Sequence, residues 1–228
     1  DDNAVATFKL NFPDVPVYHG DIAKLTVDEV LRITGLKPGE LDVFDGSPPC
    51  QGFSTAGKRD FYDDRNQLFR EYVRLLRGLR PKVFIMENVS GMVKGKMKLV
   101  FVDILKELKA SGYKVSARLL NAMYFNVPQS RQRMIFVGVR DDLGVAPSHP
   151  DACSVPINVR RAIGSLVQLE SDIAPALLRD NWQMTRVLQG NERKKHFGLI
   201  RLKWDECAGT IQKDAGNTTT GVIHPTQQ

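Results

Sequence analysis

Cysteine is scarce in this sequence, and its few cysteines stand far apart. Three occur among 228 residues, and no two of them form a Cys-x-x-Cys pattern. This number and spacing argue against both a disulfide framework and a structural zinc site. The four histidines are equally scattered, without the spacing of metal ligands. We therefore expect a protein without a metal site, working in a reducing compartment.

Long apolar runs and blocks of like charge are also missing. No apolar run could cross a bilayer and no signal peptide is visible, so we expect a soluble intracellular protein. The formal net charge is +6 and the isoelectric point is about 9.3, which suits a polyanionic partner. With 42% hydrophobic residues, the chain can bury the core of one sizeable domain plus a smaller module.

Apolar patterns typical of strands and helices alternate along the first part of the chain. Strands are predicted at residues 15–18, 41–44, 83–86, 115–120 and 134–139, and helices at 3–11, 26–35, 67–79 and 97–110. This alternation predicts an α/β fold with a doubly wound, mostly parallel sheet. Beyond about residue 145, prolines and polar segments replace the periodic runs. We therefore predict a first domain at 1–145 and a smaller, irregular, β-containing second domain at 146–228.

The most distinctive stretch is 46–54, which reads Gly-Ser-Pro-Pro-Cys-Gln-Gly-Phe-Ser. It follows a short apolar run, so it should lie at the carboxyl end of a strand, where open α/β sheets form their ligand crevices. Two prolines fix the backbone just before Cys50. A buried structural cysteine in a proline-rich turn is the ordinary alternative. The rigid approach and the polar neighbours Gln51 and Ser54 favour a thiol presented to a ligand instead.

Two further motifs accompany this cysteine. Met-Glu-Asn-Val at 86–89 ends one predicted strand, and Gln-Ser-Arg-Gln-Arg at 129–133 leads into another. In this order and spacing, the three motifs resemble those of the cytosine-5 DNA methyltransferases. The resemblance covers about residues 1–140 well and implies a Rossmann-like methyltransferase sheet. It further implies a bacterial, cytoplasmic modification enzyme that methylates C5 of cytosine in double-stranded DNA, with S-adenosylmethionine as cofactor.

The resemblance also implies a catalytic role for each motif. Cytosine C5 is a poor nucleophile until a thiolate adds at C6, and Cys50 would supply that thiolate. Glu87, with Asn88 beside it, would contact N3 and N4 of the base. Arg133 would lie near O2, where a planar guanidinium can contact several acceptors.

Binding residues follow from the same resemblance. The target base must leave the duplex to be reached, and Gln51, Ser54 and Arg131 would contact the DNA or support the pocket around the flipped base. Asp21 would meet the exocyclic amine of the cofactor's adenine, and the remaining cofactor positions would be Ile22, Pro48 and Leu68. The polar segment 53–66 is long for a plain connection, so we predict that it closes over bound DNA.

The sequence departs from the family pattern at both ends. The glycine-rich cofactor loop and the late motifs are not found, so we expect a fragment, a subunit that needs a second chain, or a sequence with segments left out. Two other functions stay open, namely a non-catalytic DNA-binding or partner-binding module and an RNA cytosine-5 methyltransferase. A thiol hydrolase is disfavoured because no histidine stands in a motif that would activate the thiol.

Overall fold

The computed structural model describes residues 1–49, 67–93, 97–164, 200–201, 203–209 and 222–223. Its helices are α1 (Asp2–Asn11), α2 (Val27–Thr34), α3 (Gln67–Leu79), α4 (Met97–Ala110) and α5 (Val159–Ile163). Its strands are β1 (Val43–Gly46), β2 (Val83–Val89), β3 (Tyr113–Asn121), β4 (Gln132–Arg140), β5 (Ile200–Arg201) and β6 (Val222–Ile223). Cys50, Gln51 and Ser54, together with the predicted closing segment 53–66, lie outside the described residues.

Four strands form the main sheet in the order β1-β2-β4-β3. β1 and β2 are parallel, with Gly46 opposite Met86, whereas β2 and β4 are antiparallel, with Val89 opposite Arg133. β4 runs against β2 because the chain enters it from its neighbour β3 through the short connection 122–131, without a crossover helix. The predicted α/β fold is confirmed, and its sheet is mixed.

Helices α3 and α4 pack with the sheet around one apolar core. The core side chains include Phe69, Tyr72 and Leu76 of α3, Ile104 and Leu108 of α4, and Phe84, Met86, Met134 and Phe136 of the sheet. Both helices have the bounds that their apolar periods predict. Leu68, a predicted cofactor position, is 42% exposed in the first turn of α3.

The capping residues in the sequence predict α2 correctly, but the strand predicted before it is not observed. The Thr26 hydroxyl accepts a hydrogen bond from the Glu29 amide at 3.1 Å, and Gly35 ends the helix at a left-handed φ of 69°. The strand predicted at 15–18 is wrong, because this segment has no regular structure. Pro16 has no N–H to donate to a strand ladder, and Val15 is 47% exposed rather than packed in a sheet.

The chain divides into two compact units. The first comprises Asp1–Leu120 and Arg133–Pro150, and the second comprises Asn121–Gln132 and Asp151–Gln228. Among the described residues of the second unit, backbone hydrogen bonds join distant segments: Cys153 donates to Tyr124, Val159 to Glu206, and Ser130 to Ala208. The loop before β4 therefore belongs to this unit. None of the helices in the described ranges combines the length and apolar character needed to cross a membrane.

Candidate functional site

The elements that carry the three motifs reach a common edge of the main sheet. β1 and β2 are parallel, so their carboxyl ends lie together, and the antiparallel β4 begins at this edge. Gly46 ends β1 opposite Met86, and Glu87 follows Met86 directly. Arg133 stands opposite Val89, two positions beyond Glu87. The glutamate and this arginine therefore meet within the first unit, beside the end of the strand that precedes Cys50.

Glu87 and Arg133 form a short ion pair. The Nε of Arg133 lies 2.6 Å from Oε1 of Glu87, and the two side chains are 23% and 32% exposed, respectively. Their strand positions are diagonal neighbours, which places both side chains on one face of the sheet. A charge-assisted bond between two half-buried groups orients both better than an exposed pair would. The arrangement offers a carboxylate and a guanidinium side by side, still accessible from solvent.

Asn88 has a different environment from its neighbour Glu87. It is only 4% exposed, because successive residues of a strand lie on opposite faces of the sheet. Its Nδ2 donates to the carbonyl of Pro48 at 3.1 Å, and its Oδ1 accepts from the amide of Val89 at 2.9 Å. Asn88 therefore ties the end of β2 to the buried proline that leads toward Cys50. This location favours a positioning role over direct contact with a substrate.

Gly46 ends β1 under an aromatic ring. A Cβ at this position would lie 2.7 Å from Cε2 of Tyr72. Tyr72 stacks on Phe44 with ring centroids 4.9 Å apart, and its hydroxyl donates to the carbonyl of Ile85 at 3.2 Å. Burial, followed by the nearby Asp45 carboxylate, raises the pKa of the Tyr72 phenol, so the ring stays neutral. The glycine is needed here for close approach, and the packed ring supports the start of the cysteine loop.

The predicted adenine-binding residues Asp21 and Ile22 lie in a turn that is hydrogen-bonded to α3. Oδ1 of Asp21 accepts from the amide of Ala23 at 3.0 Å and begins the 3₁₀ helix Ile22–Lys24. Nη2 of Arg74 donates to the carbonyls of Ile22 at 3.1 Å and Leu25 at 2.8 Å. Asp21 is exposed and Ile22 is half-buried. An acceptor carboxylate beside an apolar side chain suits an adenine and its amine, so the residues present fit the cofactor's base.

Arg131 lies in the second unit, and both its backbone N–H and its carbonyl are hydrogen-bonded there. Its N–H donates to Oδ1 of Asn121 at 3.0 Å, and its carbonyl accepts from the amide of Ala122 at 3.0 Å. Nothing in the sequence marks Asn121 or Arg74 as a functional residue. An asparagine that ends an apolar strand and an arginine within a helix are both common, and neither stands in a motif. Their partners become visible only in three dimensions.

A cavity of about 240 Å³ lies at the opposite edge of the sheet, where β4 ends. Its lining includes the arginines Arg77, Arg80 and Arg140 together with residues 110–113. Arg77 pairs with Glu107 at 2.6 Å, and Arg140 pairs with Asp142 at 2.6 Å while donating to backbone carbonyls of Gly39 and Arg80. These bonds secure the carboxyl-terminal ends of helices and nearby loops, a structural use of arginine.

Comparison with known proteins agrees with this architecture. A family model described as C-5 cytosine-specific DNA methylase matches residues 1–220. The chain is 41% identical over 172 residues to the type II methyltransferase M.AquIA of Picosynechococcus, covering 72% of this chain and 68% of that relative. It is 37% identical over 179 residues to M.XorII of Xanthomonas oryzae, covering 78% of this chain and 41% of that relative.

A solved structure shares the fold of the chain. It is an E. coli prophage protein described as a DNA modification methyltransferase, with a TM-score of 0.58 and 28% identity over 72% of this chain and 45% of that one. The chain thus spans less than half of M.XorII and of this structure. The match of the family model to residues 1–220 confirms the family predicted from the three motifs, and the chain belongs to the C-5 cytosine-specific DNA methylases.

Proposed function

We propose that the protein transfers a methyl group from S-adenosylmethionine to C5 of cytosine in double-stranded DNA. The observation that carries this proposal is the Glu87–Arg133 pair at the sheet edge where β1 ends, in a chain of this family. The type II methyltransferase names of M.AquIA and M.XorII support a role as the modification enzyme of a restriction–modification system.

Cys50 is the proposed nucleophile. Its thiolate adds to C6 of a cytosine that has been flipped out of the duplex, and the new C–S bond makes C5 electron-rich. C5 would then take the methyl group as the sulfonium of the donor leaves as a neutral thioether. Loss of the C5 proton to a base would push the C5–H electron pair into the ring, expel the thiolate from C6 and restore the aromatic base. The rigid Ser-Pro-Pro approach to Cys50 limits the positions that the thiol can take.

Glu87 and Arg133 are the proposed contacts to the base. Glu87 would hold a proton at N3 and accept a hydrogen bond from the N4 amine, which favours thiolate addition at C6. Arg133 would donate to O2, where negative charge develops. Their 2.6 Å ion pair supports a common position for both groups, because each side chain restricts the other.

Asn88 contributes by holding the backbone before the nucleophile. Its bond to the Pro48 carbonyl connects the strand that carries Glu87 to the segment that precedes Cys50. A shift of about 1 Å between reacting groups can cost about 10²-fold in rate, so this bond would matter without touching the base. We therefore assign Asn88 as a positioning residue.

S-adenosylmethionine, when bound, supplies an electrophilic methyl group. Asp21 would accept a hydrogen bond from its adenine amine, and the apolar contacts to the cofactor would come from Ile22, Pro48 and Leu68. Arg74 keeps Ile22 close to α3 through its bonds to backbone carbonyls. The exposed face of Leu68 in the first turn of α3 supports its availability to a ligand. Gln51, Ser54 and Arg131 are the proposed DNA contacts.

A covalent trap tests this function. The protein at its natural full length is incubated with S-adenosylmethionine and duplex DNA containing 5-fluorocytosine, whose C5 fluorine cannot leave as a proton. We expect a denaturation-resistant protein–DNA adduct that forms with the native protein and is lost in Cys50→Ala, while DNA binding remains. An adduct in Cys50→Ala would remove Cys50 from the mechanism. Trapping of matched RNA instead of DNA would assign the RNA substrate, and binding with no adduct would assign a non-catalytic module.

A further inference from the structure

The side chain of Asn121, the last residue of β3, forms hydrogen bonds with Met123, Ser130 and Arg131. Its Oδ1 accepts from the Arg131 amide at 3.0 Å and from the Met123 amide at 3.3 Å. Its Nδ2 lies 3.3 Å from the hydroxyl oxygen of Ser130. The side chain therefore connects the last position of β3 to two residues at the far end of the loop 122–131.

Further hydrogen bonds within the second unit hold the loop 122–131. The Ala122 amide donates to the carbonyl of Arg131 at 3.0 Å, so both backbone groups of this arginine are engaged by neighbouring residues. The Ser130 amide donates to the carbonyl of Ala208 at 2.7 Å. Asn126 adopts a left-handed φ of 60°, which asparagine tolerates better than most residues, and its amide donates to Ser154 at 2.8 Å.

An asparagine that only ended a strand or capped a helix would not need to accept hydrogen bonds from both Met123 and Arg131. Capping of the 3₁₀ helix Ala122–Tyr124 needs only the bond from Met123 to Oδ1 of Asn121. The second bond accepted by the same oxygen fixes a backbone amide ten positions away, directly before the start of β4. It therefore fixes the backbone at Arg131, the residue from which the chain continues into β4.

We propose that Asn121 is the positioning residue of the arginine segment 129–133, which sets the backbone of Arg131 and thereby the entry of Arg133 into β4. This inference rests on the proposed function, because the arginines matter only if they contact DNA and base. The chemistry required at position 121 is an acceptor for two amides, which asparagine and aspartate share. Leucine has a similar size and cannot accept a hydrogen bond.

Two variants of Asn121 and one control test the proposal. Asn121→Leu removes both accepted bonds, Asn121→Asp keeps the acceptor oxygens, and Ser130→Ala removes only the hydroxyl partner. In the chain itself, we expect the Arg131 amide of Asn121→Leu to exchange its hydrogen about tenfold faster or more, the factor for loss of one typical bond. Asn121→Asp and Ser130→Ala should stay within a fewfold of the native exchange rate.

The kinetic arm uses the protein at its natural full length. Single-turnover methyl transfer at saturating DNA should fall by about 10²-fold in Asn121→Leu, with a smaller change in DNA affinity, and Asn121→Asp should recover most of the rate. Unchanged Arg131 exchange in Asn121→Leu, or faster exchange without loss of rate, would overturn the proposal. If the native protein transfers no methyl group, the proposed function fails, and positioning for catalysis fails with it, whereas the exchange arm still reports whether Asn121 orders the loop.

Discussion

The side-chain amide of Asn88 donates to the carbonyl of Pro48 across 3.1 Å, and this bond is buried. It joins the end of β2 to the segment that follows β1. Glu87 and Asn88 are adjacent in the chain, yet alternation along the strand gives the first to the accessible face and the second to the interior. One dipeptide thus provides the proposed contact to the base and a buried hydrogen bond to the segment that leads to the proposed nucleophile.

Asn88→Ala is expected to destabilise the chain by about 1–3 kcal/mol, because it leaves the buried Pro48 carbonyl without this donor. Urea denaturation followed by circular dichroism measures the loss. The matched control is Asn11→Ala, which also removes a side-chain donor to a backbone carbonyl, that of Thr7, but from an exposed position on α1. Equal losses of unfolding free energy in the two variants would mean that the buried bond of Asn88 stabilises the chain no more than the exposed bond of Asn11.

Glu87 and Arg133 are expected to behave as one unit in catalysis. Glu87→Gln should lower the rate of methyl transfer by about 10²-fold or more, the usual contribution of a general acid. The double variant Glu87→Gln with Arg133→Ala should be little slower than the worse single variant, since paired catalytic groups are strongly non-additive. Single-turnover transfer of a labelled methyl group provides the rates.

The control for this cycle is the ion pair of Arg140 and Asp142, which has the same 2.6 Å separation at the other edge of the sheet. Asp142→Asn should leave the transfer rate unchanged. Simple additivity of the Glu87 and Arg133 variants would contradict their joint action.

The sequence predicts the helices and the edge on which the site lies. The bounds of α3 and α4 follow from strong amphipathic periods. The place of Glu87 at the carboxyl end of β2, beside the end of β1, follows from two parallel strands. Arg133 reaches Glu87 only because β4 runs antiparallel to β2, which a mostly parallel sheet does not predict. The family motifs, not the strand pattern, predict that these two side chains lie together.

Other features depend on distant residues and could not be predicted. The bond of Asn88 to Pro48 requires knowing which face of β2 is buried, and the glycine at position 46 is explained only by Tyr72, which comes from α3. The apolar residues of segment 15–18 predict a strand, but the segment has no regular secondary structure. Asn121 carries no motif, and its partner Arg131 lies at the other end of a loop.

Gly46→Ala is expected to destabilise the chain by about 1–3 kcal/mol through overpacking. The added Cβ would lie 2.7 Å from the Tyr72 ring, which is itself buried and stacked on Phe44, so neither ring can move freely. Thermal or urea unfolding gives the difference. Gly91→Ala is the control, because a Cβ at Gly91 would meet no atom within 4 Å. A tolerated alanine at position 46 would show that the Tyr72 ring yields.

The burial of His149 leads us to expect that the free energy of unfolding falls in acid. It lies beside Ser116 and Arg118 of β3, and burial is the main cause that lowers the pKa of its imidazole below the ordinary value of 6.5. The unfolded chain therefore binds this proton more readily than the folded chain. The resulting contribution to folding is complete above the unfolded pKa and is lost as the pH falls through 6.5 toward the folded value.

His149→Gln should remove this part of the acid response. Urea unfolding from about pH 8 to about pH 5 should show the native chain losing stability relative to the variant, with a difference in slope below one bound proton. The comparison at about pH 8 is the internal control, since the imidazole is neutral there in both folded and unfolded chains. At that pH the variant reports only the packing change. If the free-energy difference between the two proteins is constant across the titration, the imidazole is not held neutral by burial, and the acid sensitivity of the first unit must come from its other ionisable groups.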